Sequence, residues 1–234
     1  EALKHLEYSS AQPDVPEDVF FHLGKAYMRN YQFNKAKESF LKFEEIARRR
    51  DRRKLKPEKE AIRAENAAEE TKKYYPFEII ASSLFTFSDS SYFHRISSKD
   101  YNLLTKAEFF NTDIEEMQDF TTFIFAPEEM RKGDYLYFSG YKRRRKRDAN
   151  LFRVKKMNGN EWGIPEEIKS LNTDHHEILP YFDPDKNLLY FASQGYNSLG
   201  GYDVFKSEYN PEEKEWGEPV RLKFPLNSAA DDFF

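Results

Sequence analysis

The chain has 234 residues, and a hydrophobic content of 39% with 17% aromatic residues is enough for a buried core in one or two domains. The 37 basic and 41 acidic residues give a formal net charge of -4, which excludes an overall positive field that would attract nucleic acid or an anionic membrane. Cysteine is absent, so disulfide bonds, a thiolate nucleophile and a cysteine-ligated zinc site are excluded.

Helical periodicity dominates residues 17–43. Apolar residues recur there at the i, i+3, i+4 and i+7 positions of two amphipathic helices, with a turn at residues 30–34. Gly24 and Ala36 would let these helices approach closely while aromatic rings fill the remaining space. This order of residue types is that of a tetratricopeptide repeat. The residues concerned are Phe20, Leu23, Gly24, Tyr27, Ala36, Phe40 and Phe43.

Further helices are predicted on both sides of this pair. A tetratricopeptide repeat is about 34 residues long. When the apolar pattern of the second helix is shifted by this length toward the N-terminus, it matches apolar positions in residues 1–10. These residues are therefore expected to form the second helix of a preceding repeat. The second helix of the pair is expected to run on toward Arg50. A last helix should begin at Pro57 and end near Lys73.

A basic run, Arg48-Arg49-Arg50-Asp51-Arg52-Arg53-Lys54, lies between these helices. Its simplest interpretation is favourable charge at the negative end of a helix dipole, followed by a solvated loop. A site for phosphate or for an acidic partner is the alternative. The helical repeats would also present a groove to a partner segment, and Phe21, Lys25 and Asn34 are the residues expected to face it.

From Tyr74 onward, β-type segments alternate with turns rich in Gly, Asn, Asp and Pro, as in antiparallel hairpins. One group of residues recurs in this region, and a weaker third copy lies within residues 84–113. A period of this length made of short strands is typical of propeller blades. The first copy contains Tyr137, Trp162 and Asn172, and the second contains Tyr190, Trp216 and Asn227, at offsets of 53 to 55 residues.

The sequence therefore predicts an α+β multidomain fold. Residues 1–73 would form tetratricopeptide-type helical hairpins, and residues 74–234 would form an antiparallel β-propeller-like domain with about three blades plus the start of another. Closed propellers usually have about four to eight blades, so either further blades follow or the arrangement is incomplete or open.

The last copy predicts its own strands in detail. A first strand ends in the turn at residues 182–185, a central apolar strand covers Leu188 to Ala192, and a third strand covers Tyr202 to Ser207. Trp216 would pack where the outer strand begins. The two residues Gly200 and Gly201 are expected in turn conformations closed to residues with a Cβ, and Asp203 is expected to cap that turn through its carboxylate.

No arrangement of residues typical of a catalytic centre is found, and neither a metal nor a cofactor is expected. His175 and His176 are adjacent and would point to opposite faces of a strand, so a turn before Ile178 is the simpler interpretation. The acidic pairs Asp183/Asp185 and Asp231/Asp232 are predicted to accept hydrogen bonds in turns, with a calcium ion between turns as the alternative. Convergence of Asp174, His175, His176 and Glu177 on a metal or a deep pocket would instead favour an enzyme.

A second basic run is predicted at a hairpin tip, where six like charges would face solvent. It is either an unspecialised solvated loop, a contact for protein or envelope lipid, or a contact for nucleic acid. No interleaved aromatic residues support the last of these. The run consists of Lys142, Arg143, Arg144, Arg145, Lys146 and Arg147.

The segments Gln194–Ser207, Glu215–Val220 and Leu226–Ser228 closely resemble a late propeller blade of a protein family found in Bacteroidota. Members of that family join tetratricopeptide repeats to a TolB-like propeller and usually end in an OmpA-like peptidoglycan-binding domain. The resemblance is strong over residues 175–234 and good over the helical repeats. Residues 74–170 resemble the family only through the repeat pattern.

This resemblance implies a periplasmic, outer-membrane-associated scaffold, and in one PorE-like branch a link between type IX secretion machinery and peptidoglycan. This sequence departs from the family pattern in two ways, which limits what the resemblance implies. The basic run at residues 142–147 replaces a loop of Gly-Gly type, and peptidoglycan would be bound only through an OmpA-like domain that this sequence does not contain.

The expected function is therefore a non-catalytic protein-interaction scaffold of the bacterial cell envelope. Its partners would be other envelope or secretion-system proteins, with indirect membrane association and no nucleic acid. A propeller-type hydrolase and an anion-docking module acting through residues 142–147 are the alternatives.

Overall fold

A computed structural model describes residues 2–74, 101–104, 120–121, 124–127, 134–142, 148–157 and 162–233. The chain divides into two compact units. The helical unit contains Glu1–Phe77, Asn197–Asp203 and Lys223–Asp232, and the strand unit contains Glu78–Tyr196, Val204–Leu222 and Phe233–Phe234. Helices therefore precede antiparallel sheets, as predicted for an α+β chain.

Five α-helices and a short 3₁₀ helix are described in the helical unit. The helices predicted over residues 1–10, in the pair at residues 17–43 and from Pro57 are confirmed. The elements are α1 Ala2–Ser10, α2 Asp18–Arg29, α3 Phe33–Ile46, α4 Arg49–Leu55, α5 Pro57–Thr71 and the 3₁₀ helix Lys72–Tyr74.

The helical core forms where α3 packs against both α2 and α5. Phe40 of α3 is fully buried, and a Cβ placed on Gly24 of α2 would lie 2.5 Å from its ring atom Cε1. Real Cβ atoms do not approach other heavy atoms so closely, so only glycine fits at this position. The predicted close approach at Gly24 is confirmed, and Ala36 is fully buried as expected.

The chain between α3 and α5 differs from the prediction. The expected continuation of α3 toward Arg50 is wrong, because Ala47 has extended backbone angles and α3 ends at Ile46. The predicted loop at residues 48–54 is largely the separate helix α4, which is anchored by an Arg52–Glu44 ion pair of 3.5 Å. Lys56 then adopts a left-handed conformation with φ 48°, which ends α4 just before Pro57 begins α5.

Two segments from far along the sequence complete the helical core. The buried residues Leu199 and Ala229 belong to the same cluster as the core residues of α2, α3 and α5. Phe224 packs its ring against Tyr74, with centroids 5.1 Å apart, and its backbone N–H donates to Glu70 Oε1 at 2.9 Å. The boundary predicted between residues 73 and 74 stays a prediction, and the packing of the helices extends to these later segments.

The described strands form three sheets. Strand β8 lies between β7 and β9, so the central position predicted for Leu188 to Ala192 is confirmed. The sheets have the orders β1–β3, β2–β4–β5–β6 and β10–β9–β8–β7, with β11 paired to β9. The strands are β1 Tyr101–Leu104, β2 Phe120–Thr121, β3 Ile124–Pro127, β4 Tyr135–Lys142, β5 Asn150–Lys155, β6 Glu166–Glu167, β7 Glu177–Asp183, β8 Leu188–Ser193, β9 Asp203–Asn210, β10 Glu215–Trp216 and β11 Val220–Arg221.

The two better copies of the sequence repeat share one aromatic stacking contact. Phe138 of β4 stacks on Phe152 of β5, with ring centroids 5.6 Å apart and an interplanar angle of 21°. Phe191 of β8 stacks on Phe205 of β9 at 6.0 Å and 22°. Within the described ranges no sheet closes on itself, and the third copy, at residues 84–113, lies almost entirely outside the described residues.

Phe224 provides a test of whether the late segments stabilise the helical unit. Replacing Phe224 with Ala should lower the free energy of unfolding by about 3–5 kcal/mol, because a side chain only 8% exposed would leave a cavity among aromatic rings. Denaturant unfolding followed by circular dichroism at the helical signal measures this change. Leu226→Ala is the matched control, since Leu226 is 68% exposed and should change stability by less than about 0.5 kcal/mol. Equal effects of both substitutions would contradict the packing role.

Candidate functional site

Phe21, predicted to face a partner groove, lies between α2 and α3. Its ring centroid is 5.6 Å from that of Phe40 and 5.4 Å from that of Phe43, and the residue is 7% exposed. Most of its surface is therefore used in the core. Phe21 supports the surface above it and offers little contact area to a partner.

Lys25 lies one helical turn after Phe21 and connects α2 to α5. Its Nζ is 2.8 Å from Glu60 Oε1 and 5.8 Å from the centroid of the Phe21 ring. Two of the three predicted groove residues are therefore brought together. The ion pair joins α2 to α5, and α3 packs against both of these helices.

Two more cations lie near this ion pair. Arg63 lies one turn after Glu60 on α5, with Nη1 3.3 Å from Glu60 Oε2, and Arg29 lies one turn after Lys25 on α2. Burial lowers the pKa of Lys25 below its ordinary value; Glu60 opposes this shift, whereas the positive charges of Arg63 and Arg29 add to it. We call Lys25, Arg29, Glu60 and Arg63 the Glu60 cluster.

The remaining predicted site residues are elsewhere. Asn34 is exposed in the first turn of α3 and makes no described contact with the Glu60 cluster. Lys142 is the last residue of β4, while Arg143, Arg144, Arg145, Lys146 and Arg147 lie outside the described residues. The structure thus leaves the role predicted for this basic run untested.

Sequence reasoning missed Glu60, Arg63 and Arg29. A signal was present in part, since Glu60 and Arg63 have the i, i+3 spacing and Lys25 and Arg29 the i, i+4 spacing of helical neighbours. Nothing in the local sequence shows that the two pairs meet. Their meeting depends on how α2 and α5 are both held by α3.

Glu177 is a buried acid of the strand unit, and its contacts indicate a structural role. It accepts hydrogen bonds from the backbone N–H of Thr173 at 3.0 Å and from the hydroxyls of Thr173 and Ser193, each at 2.7 Å. Burial raises the pKa of Glu177, and these hydrogen bonds oppose the shift. The carboxyl group therefore joins the loop before β7 to the end of β8.

The two neighbouring histidines have separate partners. His176 Nδ1 accepts a hydrogen bond from the backbone N–H of Ala149 at 3.0 Å, whereas His175 Nδ1 is 2.8 Å from Asp174 Oδ1. Among the described residues, no group of three or more His, Cys, Asp or Glu residues is arranged to hold a metal ion. The convergence of these histidines with Asp174 and Glu177 that would favour an enzyme is not seen in this part of the chain.

The turn-capping role predicted for Asp203 is confirmed. Its carboxylate accepts hydrogen bonds from the backbone N–H groups of Leu199 at 2.7 Å and Gly200 at 2.9 Å.

Gly200 and Gly201 were expected in backbone conformations closed to residues with a Cβ. This reason needs correction, because their backbone angles are not in the left-handed region. A Cβ on Gly200 would overlap the carbonyl oxygen of Ala230, and one on Gly201 would overlap the carboxylate of Asp231. Close packing therefore requires glycine here.

Of the other acidic residues predicted to accept hydrogen bonds in turns, Asp183, Asp231 and Asp232 do so, whereas Asp185 is described only as a backbone donor. Asp183 Oδ1 accepts from the backbone N–H of Asp185 at 3.1 Å. Asp231 accepts from the backbone N–H of Tyr202 at 2.9 Å, and Asp232 accepts from the backbone N–H and the hydroxyl of Ser228.

Comparison with known protein families, with curated proteins and with solved structures finds no match to this chain. No helix in the described ranges is both long and apolar enough to cross a membrane.

The pKa of Asp232 leads to a pH prediction. This pKa is raised from 3.8 to about 6, chiefly by burial; hydrogen bonds from Ser228 oppose the shift, and the nearby charges of Asp203 and Asp231 add to it. The folded state therefore binds the proton more tightly, so stability should fall as pH rises from about 4 to about 7. Allowing for solvent screening, we expect a loss of about 1–2 kcal/mol.

Urea unfolding of Asp232→Asn across this pH range tests the prediction, because Asn keeps an acceptor for Ser228 but has no proton to release. The variant should lack this part of the pH dependence, with the unchanged chain measured in parallel. A direct carboxyl titration by carbon-13 NMR that gave Asp232 an ordinary pKa would contradict the prediction.

Proposed function

We propose that this chain is a non-catalytic protein-interaction scaffold, and that its helical unit binds an acidic segment of a partner protein at the Glu60 cluster. The observation that carries the proposal is the charge balance of the cluster: Lys25 and Arg63 both contact one carboxylate, and Arg29 lies close enough to affect Lys25. Two cations thus share a single anion, and a third lies nearby. Arg29 makes no ion pair with a described residue.

An incoming carboxylate would relieve two unfavourable features of the cluster. Positive charges repel one another across the cluster, and partial burial disfavours the charged form of Lys25. A partner Asp or Glu near Lys25 and Arg29 would stabilise the charged lysine and reduce the excess positive charge of the cluster. Arginine also suits this role because its planar guanidinium can bind a carboxylate through two hydrogen bonds.

The scaffold around the cluster favours binding without large rearrangement. Phe21, Phe40 and Phe43 form a buried aromatic support beneath Lys25. Surfaces built on rigid helices lose less conformational entropy on binding than surfaces on loops. Helical-hairpin repeats commonly use such surfaces for extended partner segments.

The strand unit is proposed to consist of propeller-like blades, about three plus the start of another. The repeated aromatic stacking of Phe138 on Phe152 and of Phe191 on Phe205 supports equivalent roles for the two copies. The resemblance described from the sequence supports a location in the periplasm at the outer membrane. On that basis the partners would be envelope or secretion-system proteins.

A labelled peptide of alternating Glu and Ser residues, with a Gln-Ser peptide as the neutral probe, tests the Glu60 cluster. Fluorescence anisotropy at low salt should show binding of the acidic peptide and not of the neutral one. Lys25→Gln and Arg63→Gln should each weaken binding about 5–10-fold, as expected for loss of one partly exposed charge contact.

Glu60→Gln distinguishes binding from structure. Removing the competing carboxylate should tighten acidic-peptide binding about 3–10-fold, whereas a purely structural cluster would bind no better after any of these changes. Glu65→Gln is the matched control, because Glu65 forms an ion pair of the same 2.8 Å length with Lys37 outside the cluster. Unchanged or weaker binding by a folded Glu60→Gln variant would refute the proposed site.

A further inference from the structure

A second charged surface is present on α4. This seven-residue helix has the sequence Arg-Arg-Asp-Arg-Arg-Lys-Leu, so five of its residues are basic and one is acidic. Arg49, Arg50, Arg53 and Lys54 are exposed, and Arg50 has a side chain 90% exposed. These four residues have the i, i+1, i+4 and i+5 spacing of one helical face. We call them the α4 basic face.

The opposite side of α4 holds the helix on the protein. Leu55 is half-buried against the helical core, and Arg52 pairs with Glu44 and donates to the backbone carbonyl of Glu44 at 3.4 Å. Arg48, just before the helix, pairs with Glu17 at 3.4 Å. The orientation of α4 is therefore fixed by its own contacts, and these contacts leave the basic face directed to solvent.

Little negative charge from the described residues balances this face. The Arg50 Nε is 3.8 Å from Asp51 Oδ1, which is a long and exposed contact. Arg49, Arg53 and Lys54 make no ion pair with any described residue. Like charges one helical turn apart repel each other, so an external polyanion would relieve this repulsion.

We propose that the α4 basic face docks on an anionic phospholipid surface. A helix of seven residues is only about 10 Å long, which suits a few headgroup phosphates better than the long phosphate track of a nucleic acid. The helix contains no aromatic residue to stack on a base. Ile46 ends α3 three residues before Arg49 and is 44% exposed, which provides an apolar contact for the headgroup boundary.

Electrostatic docking of this kind has a defined strength. Each basic residue near a strongly anionic bilayer contributes about fivefold to membrane affinity, and the attraction decays within a Debye length. Four such residues give weak and reversible binding. The overall charge of -4 does not oppose it strongly, because charges more than about 10 Å away are screened at ordinary salt.

Vesicle co-sedimentation of the whole chain tests the proposal. The chain should bind vesicles of phosphatidylglycerol mixed with phosphatidylcholine, and should not bind phosphatidylcholine alone. The triple variant Arg49→Gln, Arg53→Gln and Lys54→Gln should lose about 100-fold in affinity for the anionic vesicles. Circular dichroism of the variant checks that the helices remain folded.

Two further variants test whether binding depends on the charge of α4 itself. One changes the net charge of the chain without changing α4, and the other changes the side chains of α4 without changing its charge. The matched control replaces Lys4, Lys155 and Lys169 with Gln, which changes the net charge equally at exposed positions that are not part of α4; it should bind like the unchanged chain. A charge-keeping variant, Arg49→Lys, Arg53→Lys and Lys54→Arg, should also bind.

Three outcomes would overturn the proposal. The first is binding of anionic vesicles that the triple variant retains. The second is an equal loss in the matched control, which would indicate a general charge effect. The third is absence of vesicle binding together with salt-sensitive binding of a DNA duplex, which would assign the face to nucleic acid.

Discussion

The close approach of α2 and α3 at Gly24 is the constraint on which the helical unit depends. Phe40 occupies the space that any side chain at residue 24 would need. This contact sets the separation of the two helices, and with it the position of Phe21 between them. Lys25 follows Gly24 directly, so the same contact determines where its ammonium group can meet Glu60 on α5. A packing requirement in the core thereby positions a charged group at the surface.

The helical unit uses positive charge in two different ways. In the Glu60 cluster Lys25 and Arg63 are partly buried and share one carboxylate, so removing that anion changes the energies of both cations. On α4 the cations are exposed and largely independent, so their effect is additive and sensitive to salt. A chain with a net charge of -4 can therefore present two local positive surfaces with distinct physical behaviour.

Local features of the sequence predicted much of this fold. The 3.6-residue pattern located α2 and α3, the apolar run located β8, and the carboxylate of Asp203 was expected to cap its turn. The misses share a cause. Gly200 is required by Ala230, thirty residues later, and the Glu60 cluster depends on the packing of three helices; neither contact leaves a local pattern. Helix α4 was missed because its basic residues show no apolar periodicity.

The packing of Leu199, Phe224 and Ala229 with the helices has a consequence for synthesis of the chain. Translation proceeds from the N-terminus, so the helices are synthesised more than a hundred residues before these side chains. During that interval the apolar surface that they later cover faces water. The nascent helical region should therefore be a site for chaperone binding, and its final packing should form only after the late segments have emerged.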